Sequence, residues 1–148
     1  MRTSAIVSAL GFGIASAAAV APAFSVEIRG MKDFGALHGR YAPGGDCQRS
    51  PRFEVDAAGM RFEVGGRSDQ IASLEYAASF GGNTYAGSSR WFFPFGHDGN
   101  YPVLMTFNAG EKPGVVTIEP QDEGYPGGPA LSARNQALVE GSPYMRCR

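Results

Sequence analysis

Histidine, lysine and cysteine are scarce in this chain: it has only His38 and His97, Lys32 and Lys112, and Cys47 and Cys147. Each shortage excludes something. Once the two thiols pair with each other, the two histidines are left without the partners that a zinc site or a Cys–His dyad needs. Phosphate binding demands clustered Lys and Arg, and the arginines here are scattered singly, so nucleic acid is not an expected partner. The nucleophile patterns G-x-S-x-G and S-x-x-K are missing, as is the redox pattern C-x-x-C. No motif for a catalytic group, a metal or a cofactor stands out, and no repeat of fixed period points to a solenoid or propeller.

What the chain does have begins with a leader. Arg2 provides a minimal positive start, Ala5 to Val20 is an uncharged apolar run, and Ala21-Pro22-Ala23 supplies the small residues of an A-x-A cleavage site. Residues 1–23 are therefore expected to be a signal peptide, cut before Phe24. The apolar run is shorter than the roughly 20 residues that cross a bilayer, so no stable membrane anchor is expected after cleavage. Residues 24–148 then form one domain, large enough for a single hydrophobic core. Loss of Arg2 leaves twelve basic against fourteen acidic residues, a net charge near −2.

In a periplasmic or secreted chain, two cysteines read as a disulfide. Cys47 lies early in the domain and Cys147 is the penultimate residue. A bridge closing so long a loop removes on the order of 4.7 kcal/mol of chain entropy from the unfolded state.

Gly, Pro, Asn and Asp punctuate the domain at the short intervals of strands and turns. Arg52–Asp56 and Met60–Val64 alternate with period two around Ala57-Ala58-Gly59. This predicts a hairpin with Phe53, Val55, Met60, Phe62 and Val64 on one face, and Glu54, Arg61 and Glu63 on the other. Alternation from Ala72 to Phe80 predicts another strand, Thr84 to Phe95 a further one, and Val103–Phe107 with Val115–Glu119 a second hairpin. Tyr125–Pro129 reads as a linker, Ala130–Glu140 as a short helix with Gly141 at its C-cap, and Ser142-Pro143-Tyr144 as an extended return. The fold class is all-β and mainly antiparallel: a small barrel or sandwich of about six to eight strands with one short C-terminal helix, closed by the disulfide.

The most unusual segment is Trp91-Phe92-Phe93-Pro94-Phe95, apolar on both strand faces. Trp91, Phe93 and Phe95 are either a core strand or an aromatic patch that meets a protein, glycan or hydrophobic ligand. Pro94 favours an edge or a bulge at the end of the segment. His97 and Asp98 follow in a turn-forming run that reads as an acid–base pair only as a remote option. Asp46 and Arg49, in a glycine-rich loop pinned by Cys47, have the layout of a preorganised inhibitor loop, or simply of an entry turn.

Leader, small β domain and single disulfide are together similar in architecture to periplasmic lysozyme inhibitors and to small lipocalin-like binders, although no motif of either group is present. The expected function is that of a periplasmic or secreted, non-enzymatic binding protein, inhibitor-like, whose partner is a protein or envelope component. One alternative is a carrier whose barrel interior, lined by Phe53, Phe62, Leu74 and Phe107, holds a small hydrophobic ligand. The other is a hydrolase centred on His97 and Asp98.

Overall fold

Strict alternation in Arg52–Asp56 and Gly59–Val64 commits these residues to two strands sharing one apolar face, and the computed structural model of the chain shows that hairpin as part of a larger sheet. The structure describes residues 25–78, 80–96, 100–121 and 130–148. The expected leader, His97, Asp98 and Tyr125–Pro129 lie outside the described residues. Ten strands form one antiparallel sheet: β1 (Val26–Arg29), β2 (Gly39–Pro43), β3 (Arg52–Asp56), β4 (Gly59–Val64), β5 (Arg67–Ile71), β6 (Ser73–Tyr76), β7 (Arg90–Phe93), β8 (Val103–Phe107), β9 (Val115–Pro120) and β10 (Tyr144–Arg146). A single helix, α1 (Ala133–Glu140), precedes β10, and a 3-10 turn at Lys32–Leu37 joins β1 to β2. No helix among the described residues is long and apolar enough to cross a membrane.

The strands run in the order β1-β6-β7-β8-β9-β10-β2-β3-β4-β5. Only Ala72 separates β5, at one end of that order, from β6, next to the other end. The extended segment from Arg67 to Tyr76 pairs with β4 through its first part and with β7 through its second. A flat sheet cannot place its two ends one residue apart, so the sheet curls round on itself as a half-barrel. Ten strands exceed the expected six to eight, because β1, β5 and β10 are short or polar and carry little alternation. The strand expected over Thr84–Phe95 is confined to β7, and the alternation from Ala72 to Phe80 continues as strand only to Tyr76.

The two faces of the β3–β4 hairpin part as its pattern predicts. Phe53, Val55, Met60 and Phe62 are buried, while Arg52 pairs with Glu63 and Arg61 with Glu54 across the wet face. Both ion pairs are partly exposed and contribute at most about 1 kcal/mol each. Inside the curl, Phe53 packs against Tyr41, Phe62, Phe107 and Tyr144 with ring centroids 5.0 to 6.2 Å apart, and Phe92 meets Phe107 at 5.5 Å. The buried phenols donate to backbone carbonyls at 2.8 Å, Tyr41 to Leu37 and Tyr144 to Leu138. Burial holds both above the usual tyrosine pKa.

Ser132 caps α1 by accepting from the Asn135 amide at 3.2 Å, so the helix starts three residues later than expected. Leu138, fully buried, fastens α1 to the core. The chain then returns as β10 between β9 and β2, where the Cys147 amide donates to the Arg40 carbonyl at 2.8 Å. Cys47 and Cys147 form the expected disulfide, 100 residues apart in sequence and 5.8 Å apart between Cα atoms.

Candidate functional site

The pleat of β7 divides the aromatic run. Phe92, opposite Tyr76 and Met105, points inward and is fully buried. Trp91, opposite Thr106, and Phe93, opposite Glu75, point to the outer face of the sheet. There they form a second, smaller apolar cluster with Ala77, Leu104 and Tyr101, separate from the main core. Phe93 is buried within it and Trp91 half-buried. Phe95 lies beyond the strand, half-buried against Phe62 at 4.9 Å, with the Arg134 guanidinium 3.8 Å from its ring centroid.

What overlies Trp91 is the connection between β6 and β7. Phe80 and Tyr85 reach back onto the indole at 5.9 and 5.1 Å, and Phe80 also meets Phe93 at 6.4 Å. Phe80 is nevertheless 41 % exposed, so the outer surface of this aromatic layer faces solvent. The connection lies this close because of its glycines: a Cβ on Gly81 would come within 2.7 Å of the Tyr85 ring and 2.8 Å of Trp91.

The connection is fastened by Glu111, in the turn between β8 and β9. Its carboxylate accepts from the Tyr85 hydroxyl, from the Ser88 amide at 2.6 Å and from the Ser88 hydroxyl at 2.8 Å. The Tyr85 oxygen in turn accepts from the Ser89 amide at 2.7 Å, and the Ser89 hydroxyl donates to the Asn108 carbonyl at 2.7 Å. Donors on every side, Tyr85 foremost, hold the Glu111 carboxyl down at about 2. The turn is bent to reach this position, with left-handed φ of 52° at Asn108, 61° at Gly110 and 62° at Glu111. Sequence reasoning missed this clamp, since an acidic residue between Gly110 and Lys112 looks like any solvated turn.

Of the other expected residues, Asp46 and Arg49 do not join Trp91. Asp46 is occupied in its own turn, accepting from the Gln48 amide at 3.0 Å. Arg49 lines an open cleft of about 450 Å³ with Pro43, Pro51 and Glu140. A larger open cleft of about 820 Å³, between the β4–β5 turn and the start of α1, is lined by Val64, Arg67, Asp69, Ser132 and Arg134, none of which the sequence marked as a site residue. His38 is half-buried, with Nε2 at 2.9 Å from the Met31 carbonyl, which makes it a donor within the fold. The hydroxyls of Ser88 and Ser89 are spent on Glu111 and Asn108, and among the described residues no group of three His, Cys, Asp or Glu is placed to hold a metal ion. The geometry offers a surface for contact: aromatic, partly solvent-facing and held in place from one side. Comparison with the models of known families, with curated proteins and with solved structures finds no match to this chain.

Proposed function

We propose that the protein is an exported, non-enzymatic binding protein that meets its partner, a protein or envelope component, through the aromatic layer of Trp91, Phe80 and Tyr85. The observation that carries this reading is the placement of the only tryptophan. It stands on the outer face of the sheet, outside the main core, under a connection held by a dedicated carboxylate. Large rings at a half-exposed position, fixed in advance, bind at low entropic cost. The disulfide and the expected leader support an oxidising compartment outside the cytoplasm. A hydrophobic-ligand carrier is supported less well, because Phe53, Phe62, Leu74 and Phe107 are all buried in a single packed cluster. For a hydrolase, His97 and Asp98 lie outside the described residues and no observation favours it.

The test is capture from envelope extract on the immobilised mature protein, followed by identification of what is captured and rebinding in purified form. A partner that binds the wild type and binds Trp91→Ala at least tenfold more weakly supports the proposal. Equal binding to both removes this surface from consideration.

A further inference from the structure

The ladder registers place an unusual set of charges around the aromatic layer. Glu27 of β1 stands directly opposite Glu75 of β6, and Glu75 stands opposite Phe93 of β7. Phe93 packs with Leu104 of β8, and Leu104 stands opposite Glu119 of β9. One row across the outer face therefore reads Glu27, Glu75, Phe93, Leu104, Glu119. Like charges directly opposite on neighbouring strands disfavour the pairing unless something offsets them. Among the described residues hydroxyls help here: Ser73 donates to Glu27 at 2.7 Å, and Ser25 donates to Glu75. The three ion pairs among the described residues, Arg52–Glu63, Arg61–Glu54 and Arg134–Asp69, lie elsewhere. Basic groups near this face are few. Arg29 is exposed on β1 and makes no ion pair among the described residues, Lys112 is exposed in the β8–β9 turn, and the Arg90 guanidinium is engaged by the carbonyls of Gly87 and Ser89 at 2.8 and 2.7 Å.

Resting on the reading of the aromatic layer as a docking surface, we infer that its occupant is a cationic protein surface, one that lays Lys or Arg side chains over the Trp91–Phe80–Tyr85 rings and against Glu75 and Glu119. The two halves of the surface ask for the same group. Ring faces attract a cation through their quadrupole, and carboxylates that have no ion pair among the described residues gain one from a basic partner. A neutral glycan would satisfy the rings and leave the carboxylates as they are; an acidic partner would be repelled.

The sole tryptophan makes the experiment direct. Mature protein is titrated with an oligolysine peptide, an oligoglutamate peptide and a neutral chito-oligosaccharide, with Trp91 emission read at low and at physiological salt. The expected result is a saturable change with oligolysine alone, weakened by salt. In Glu75→Gln/Glu119→Gln the oligolysine affinity falls about tenfold, while Glu140→Gln on α1 leaves it unchanged. Circular dichroism of the variants confirms that they fold. An equal response to oligoglutamate, a response to the glycan alone, or an oligolysine affinity indifferent to the Glu75/Glu119 change overturns the inference. If oligolysine gives no response but envelope capture still depends on Trp91, the docking surface stands and its cationic occupant does not; if capture is also indifferent to Trp91, both fall.

Discussion

Glu111 shows how one side chain offsets an unfavourable backbone. A glutamate at φ of 62° lies in a region that side chains with a Cβ occupy at a cost, and it does so where its carboxylate meets the donors of Tyr85 and Ser88. Those donors favour the charged form, which is why its pKa falls from 4.5 to about 2. Because the folded-state value is depressed, the clamp's contribution is complete above the unfolded value and is lost as pH falls through the folded one. We expect the melting-temperature advantage of the wild type over Glu111→Gln to be constant above pH 4.5 and to shrink toward pH 2. Trp91 emission should report the same window, since Tyr85 touches both the carboxylate and the indole. An advantage that stays level down to pH 2 would show that the carboxylate is merely solvated. That the aromatic segment is apolar on both strand faces was legible in the sequence, but whether its outer half is core or surface was not, because composition does not say what covers a strand. Glu111 was not legible, since its partner Tyr85 lies 26 residues away and nothing local marks the pair.

Among elements, legibility follows alternation. The β3–β4 hairpin was readable because its residues alternate over whole strands, and the β8–β9 hairpin because two apolar runs, the second rich in β-branched residues, flank a turn; both pairs of strands are antiparallel neighbours. In contrast β5, Arg-Ser-Asp-Gln-Ile, has a single apolar side chain and is a strand only because β4 supplies a ladder for it. The later part of the β6–β7 connection was read as the start of a strand from Thr84 to Phe95, yet its glycines let it fold over the outer face. The hairpin turn carries its own test at Gly59. This glycine has φ of 141° and a Cβ there would fall on the Ile71 carbonyl, in the backbone of the neighbouring strand, where no side-chain rotation relieves the clash. Gly59→Ala should cost at least about 2 kcal/mol by denaturant unfolding, against a few tenths for Gly65→Ala plus its left-handed strain, since nothing lies within 4 Å of that position. Equal losses at the two positions would mean that backbone conformation alone, without close approach, accounts for the glycine at this turn.

At the scale of the molecule, the sheet depends on its last strand. β10 has only three residues, yet it pairs with β9 on one side and β2 on the other. Without it the order breaks into β1-β6-β7-β8-β9 and β2-β3-β4-β5, held together by the continuous Arg67–Tyr76 segment and by the core. A strand of three residues is weak by itself, because so few ladder bonds do not offset the entropy of fixing it. The Cys47–Cys147 bridge fastens β10 to the loop following β2, and Arg146 adds a hydrogen bond from its guanidinium to the Ala36 carbonyl at 2.7 Å. The disulfide therefore acts on the folded state as well as on the unfolded chain. A purely entropic bridge would lower stability on Cys47→Ala/Cys147→Ala by roughly 2–5 kcal/mol and leave the native pattern of amide protection intact. If the bridge also holds β10, hydrogen exchange in that variant should accelerate first at Tyr144–Arg146 and at the facing amides of β2 and β9, while the β3–β4 hairpin stays protected. Uniform acceleration across all strands would return the disulfide to a constraint on the unfolded chain alone.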